Sequence, residues 1–323
     1  MSFILQSEDE YEDLLGLWSD LEAGLGMVLS HPHSVQEFAA RIDQYDRWMQ
    51  NLIQQDSDVA LYLLFQLAAH SPVGYSASHA LVCAVLCHLV ARELQLPEAE
   101  RNSLVHAAMT MNIAMTELQD QLAVQRERPT PAQDIAVRAH AARGAELLRH
   151  LGIRDGLCLQ TVQQHHQDPD LQQDLPTLPP AQRLAHLLNV VDRYAAMISP
   201  RQSREGRSAT ESAKSILNTG NGQHNQMGQL LLKVVGLFPP GTFVQFDNQV
   251  VGVVLRRGPQ DNCPDVALVL NAKGQLMRPP SLHAYDGASP AISAALPAAR
   301  VRERLNHHLI LQLGTQAQPF IDR

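Results

Sequence analysis

From Tyr75 to about Gly236 the apolar residues recur at helical spacing, and several ionisable side chains fall inside or at the ends of those apolar stretches, among them His79, His140, His165, His166 and Asp192. A helical bundle has to bury such positions. Buried imidazoles and carboxylates are costly unless they meet one another or a cation. The pattern therefore favours folds in which separate helices bring such groups against one another or against a cation.

With 323 residues, 45% of them hydrophobic and 18% charged, there is ample material for a core and no compositional case for disorder. The net charge of −8 argues against a nucleic-acid binder, whose contacts would be dominated by Lys and Arg. The four cysteines, Cys83, Cys87, Cys158 and Cys263, contain no Cys-x-x-Cys pair. Cys83 and Cys87 lie one helical turn apart in an apolar segment and read as buried core thiols. The acidic N-terminus lacks the positive region of a signal peptide. The apolar runs read as too short and too interrupted by His, Arg and Glu to span a bilayer, so no membrane insertion and a cytoplasmic location are expected.

Three units are expected: an N-terminal helical unit over 1–70, a helical domain over 71–236, and a small β-rich subdomain with a terminal helix over 237–323. Ser34 to Glu37 reads as a capping box before a helix carrying Phe38, Ile42, Met49 and Leu52. Helices are expected over 76–94, 98–115, 131–150, 157–166 and 181–198. Thr130-Pro131-Ala-Gln133 is a strong start signal, and Gly152 a suitable residue beyond the end of that helix. After Gly241 the period changes to that of strands, over 242–246, 250–255, 266–270 and 275–277, with a closing helix over 298–313.

A ring of His and Asp from separate helices is how helical metallohydrolases hold ions that activate water. Four stretches resemble, in order, the HD-GYP family of bacterial cyclic di-GMP phosphodiesterases, a branch of the HD superfamily. Tyr-Ser-Ala-Ser-His79 is similar to its first-His helix, and Arg-Ala-His140-Ala-Ala-Arg-Gly to its His-Pro-x-x-Gly helix. Gln-Gln-His165-His166-Gln resembles the His-His-Glu signature, and Asn-Val-Val-Asp192-Arg-Tyr the Ala-Asp-x-Tyr helix. The segment from Leu237 to Val244 resembles the one that follows the family's catalytic core. The resemblance covers roughly 75–241 and implies a mainly α protein with an HD-type helical bundle.

The departures bear on function. The family's adjacent His-Asp pair becomes Met111 and Asn112, and its Gly-Lys becomes Ala114 and Met115. The Gly-Tyr-Pro signature is missing between His166 and Pro180, Gln167 replaces Glu, and Tyr75 stands four before His79, where some members use a Glu ligand. A thioether and a neutral amide do not replace a bridging carboxylate and an imidazole. No catalytic residue and no cofactor are then expected, and His79, His140, His165, His166 and Asp192 are a vestigial metal set. One reading makes His79, His140 and Asp192 a hydrogen-bonded core network. The other keeps a single iron, manganese or zinc ion on them. Arg201, Arg204 and Arg207 form a compact basic loop, which the resemblance implies meets phosphates and which otherwise is a solvated surface loop.

The expected function is a catalytically inactive HD-GYP-like bacterial signalling protein, acting by partner binding or nucleotide sensing. The alternative is an active metal-dependent phosphodiesterase with a remodelled site. Expected partners are other signalling proteins, cyclic di-GMP and a second copy of the chain.

Overall fold

The structure, a computed structural model, describes residues 8–70, 73–167, 175–202, 206–217, 226–258 and 262–315. The polypeptide begins with α1 (Glu8–Ser30), α2 (Phe38–Gln55) and α3 (Ser57–His70). The bundle follows as α4 (Tyr75–Glu93), α5 (Glu98–Thr110), α6 (Thr116–Val124), α7 (Pro131–His150), α8 (Gly156–Gln164), α9 (Pro180–Ile198), α10 (Ala209–Leu217) and α11 (Gln226–Val235). Five strands, β1 (Phe243–Phe246), β2 (Val251–Arg256), β3 (Asp265–Leu270), β4 (Leu276–Ala284) and β5 (Ile292–Leu296), precede a short α12 (His307–Gln312). The protein is mainly helical with a small C-terminal antiparallel sheet.

The axis of the bundle is α4, which is apolar all round and buried from Ser76 to Ala91. A helix hydrophobic on every face has to be surrounded, and α1, α3, α5, α9 and α11 pack against it. By length and composition α4 could also cross a membrane, contrary to the sequence expectation, but 89% of the relevant window is buried inside the protein. It is a core helix. The N-terminal turn of α7 forms as its sequence predicts: Gln133 N–H donates to Thr130 Oγ1 at 3.3 Å and Thr130 N–H to Gln133 Oε1 at 2.9 Å. Gly152 follows the helix end with φ of +93°.

Several expectations are corrected. Ser34 lies in a 3-10 turn started by Pro32 and caps nothing; α2 starts after Glu37, whose φ is +52°. The stretch expected as one helix over 98–115 ends at Thr110, and Met111 and Asn112 lead into a 3-10 turn over Ile113–Met115. Thr110 bonds its hydroxyl back to the His106 carbonyl at 2.6 Å, a local bond that often bends a helix. Helix α8 starts at Gly156 because Asp155 Oδ1 accepts from Leu157 N–H at 2.9 Å and Cys158 N–H at 3.2 Å, and it ends before His165. The closing helix expected over 298–313 is instead a 3-10 turn after Pro297 and the short α12, and β5 precedes it as a strand the sequence did not predict.

The sheet order is β4-β3-β2-β1-β5 with every pair antiparallel. Every residue of β2 is buried, since α3 covers one face. The sheet is tied to the helices through charge: Arg256 donates to Asp56, and Arg257 Nε to Asp58 at 2.5 Å. Asp56 also caps α3, accepting from the Asp58 and Val59 amides at 3.0 Å each. One apolar core runs from α1 through the bundle to Val253, Leu255 and Val269 of the sheet. A smaller cluster of Val244, Phe246, Val254 and Val266 fills the other face.

Candidate metal centre

Four helices supply the predicted side chains. His79 and Cys83 lie on α4, His140 on α7, His165 and His166 at the end of α8, and Asp192 on α9. They form two groups whose candidate ligand atoms each lie within 4.8 Å of one another: His140, His165 and His166 in one, His79, Cys83 and Asp192 in the other.

In the first group the tautomers follow from the backbone. His140 Nδ1 faces the Val137 carbonyl, and His165 Nδ1 lies 2.6 Å from the Val162 carbonyl. A carbonyl only accepts, so each Nδ1 carries the ring proton and each Nε2 keeps a lone pair. Those two Nε2 atoms face each other at 3.3 Å. Burial lowers both imidazoles, His140 downward and His165 to about 4, so neither carries charge at neutral pH. Two bare lone pairs at that distance repel unless a cation or proton lies between them. The exposed His166 ring adds a third donor, with centroids 4.0 Å from His165 and 5.0 Å from His140. Asn189 Nδ2 donates to the His165 carbonyl at 2.7 Å and fixes the end of α8. The residues fit a borderline divalent cation.

In the second group His79 Nε2 lies 2.8 Å from Asp192 Oδ1 and Cys83 Sγ lies 3.6 Å from the same nitrogen. Burial pushes the Asp192 carboxyl up, but the His79 hydrogen bond and charge, with His165 and His166, outweigh it and hold the group at about 2. Asp192 is an anion at every ordinary pH. Its charge also bears on His140 and His165, so the two groups share one electrostatic field.

No family model matches the chain. Over 228 residues it is 26% identical to cyclic di-GMP phosphodiesterase PA4108 of Pseudomonas aeruginosa, covering 68% of this chain and 53% of that protein. The match thus spans about half the length of that relative. The chain thus resembles the HD-GYP family. Among solved structures, the HDG"Y"P protein Bd1817 of Bdellovibrio bacteriovorus superposes with a TM-score of 0.49 at 14% identity, over 70% of this chain and 72% of that one.

Within the helical bundle, Met111 is 1% exposed and belongs to the main apolar core. Asn112 is half-buried and begins the 3-10 turn, its carbonyl accepting from Met115 N–H at 2.8 Å. Tyr75 stacks on His79, ring centroids 5.4 Å apart and planes 13° from parallel. Arg201 covers it, Cζ 4.6 Å from the Tyr75 centroid and Nη2 donating to the phenol oxygen at 2.7 Å. Arg201 thus packs on the tyrosine that stacks on His79 of the second group. Arg207 is exposed and turns to Ser215 Oγ at 3.4 Å, and Arg204 lies outside the described residues. Sequence reasoning treated Cys83 as core and passed over its place beside His79. The His-x-x-x-Cys spacing, which puts both side chains on one face of a helix, is the signal that could have found it.

Proposed function

We propose that this chain is a bacterial, cytoplasmic cyclic di-GMP signalling protein whose HD-GYP-like domain has lost turnover and works by binding. The observation that carries the reading is the side chain at position 111: a thioether sealed in the core at 1% exposure, followed by an uncharged Asn112, where the family sets its His-Asp pair. Neither residue brings the negative charge that would bridge two cations and ionise a water between them. In this proposal Arg201, Arg204 and Arg207 meet nucleotide phosphates, while the flanking units over 1–70 and 237–323 are the surfaces for signalling partners or a second copy. The relative's printed activity, phosphodiester hydrolysis of cyclic di-GMP, supports the choice of nucleotide.

The test uses one purified preparation supplied with manganese or ferrous iron. Calorimetry with cyclic di-GMP should show binding, and chromatography of the same mixture should show no linear product. Hydrolysis at an ordinary enzymatic rate would end the reading.

A second reading, an active metal-dependent phosphodiesterase, is favoured by the converging lone pairs of His140 and His165 with His166. A cation there would supply Lewis acidity and acidify a coordinated water. That reading requires turnover, and its loss in His140→Ala.

A further inference from the structure

We propose that Cys83 joins His79 and Asp192 as the third protein ligand of a zinc-type site that the HD-GYP motif does not contain. The inference stands apart from the nucleotide reading and holds whether or not cyclic di-GMP binds or is cut.

The spacing carries the argument. Zinc bonds of about 2.0 Å to nitrogen and 2.3 Å to sulfur at a tetrahedral angle place the two ligand atoms about 3.5 Å apart. Cys83 Sγ lies 3.6 Å from His79 Nε2. That separation is already set, because both residues project from one face of α4, four positions apart, and both are buried. The nitrogen–oxygen edge of the same tetrahedron is about 3.4 Å, whereas His79 Nε2 and Asp192 Oδ1 are 2.8 Å apart. That edge is therefore closed by a hydrogen bond, which an entering ion replaces. The ring proton of His79 then resides on Nδ1, which is buried without a partner among the described residues, so no other bond is broken. The thiol gives its proton to solvent as sulfur binds the cation. One charged oxygen, one imidazole and one thiolate leave a fourth position open, as in catalytic rather than structural zinc sites. A thiolate also turns the preference away from magnesium and manganese toward zinc and cobalt.

The three-His group has no sulfur, so a sulfur-specific signal separates the two sites. Full-length protein stripped with chelator and titrated with cobalt(II) should develop a near-ultraviolet thiolate-to-cobalt charge-transfer band. Cys83→Ser should lose that band and bind zinc at least about tenfold more weakly, by analogy with the loss of other metal-site support. Cys87→Ser, altered one turn further along α4, should keep the band. A wild-type titration without the band, or a Cys83→Ser protein that retains it, overturns the proposal. Should Cys83→Ser fail to fold, X-ray absorption at the zinc edge of the wild-type protein decides. One sulfur at about 2.3 Å upholds the assignment, and a shell of nitrogen and oxygen alone refutes it.

Discussion

Replacing Asp192 by Asn should remove a share of the protein's stability that depends on pH in a defined way. The carboxyl is held at about 2 against an ordinary 3.8, because the His79 hydrogen bond and nearby imidazoles overcome the penalty of burial. A group whose proton affinity falls on folding stabilises the fold while it is ionised in both states. That stability is complete above the unfolded value and is lost as the pH falls through the folded one. The difference between 3.8 and about 2 amounts to about 2 kcal/mol for Asp192. Asn keeps the size and an acceptor oxygen but carries no charge. Urea unfolding of both proteins in EDTA should therefore show a gap of about 2 kcal/mol at pH 7 and pH 5. The gap should narrow below about pH 4 and close near pH 2. Equal stability at neutral pH, or a gap that persists undiminished in acid, would refute the reasoning.

Other predictions concern the frame that holds the site. Asp56→Ala takes away the nearest carboxylate of buried Arg256 and the cap of α3, and should cost about 3–5 kcal/mol in the same assay. Asp265 behaves oppositely to Asp192: burial raises it to about 6, only partly offset by Arg256, with Asp58 adding to the rise. Its carboxylate therefore opposes folding above that pH, so Asp265→Asn should stabilise by about 1–3 kcal/mol near pH 7.5. The gain should vanish as the pH falls below about 4. Gly241 has φ of +85° and a Cβ there would collide with the Tyr62 carbonyl. Gly241→Ala should lower stability by about 1–3 kcal/mol, read from the urea midpoint.

The helical domain was legible in the sequence where local chemistry decides it. Thr130, Pro131 and Gln133 specify the start of α7 by bonds among themselves, and the all-round apolar α4 announces a surrounded helix. The same local reading failed where distant partners decide. Ile292 to Leu296 becomes a strand only because β1 offers a free edge. Met111 and Asn112 interrupt a helical pattern in which no Gly or Pro marks the break.

By itself the sequence determined which donors exist and in which helices, since side-chain type and helical periodicity are local properties. It therefore placed His79, His140, His165, His166 and Asp192 in a bundle and revealed the uncharged pair at 111 and 112. Tertiary structure alone decided how those donors divide. It turned two Nε2 lone pairs toward each other across α7 and α8, and closed Asp192 of α9 onto His79 with Cys83 alongside. Ligand geometry depends on distances of a few ångströms between helices far apart in the chain, and those distances are set by how the apolar faces pack.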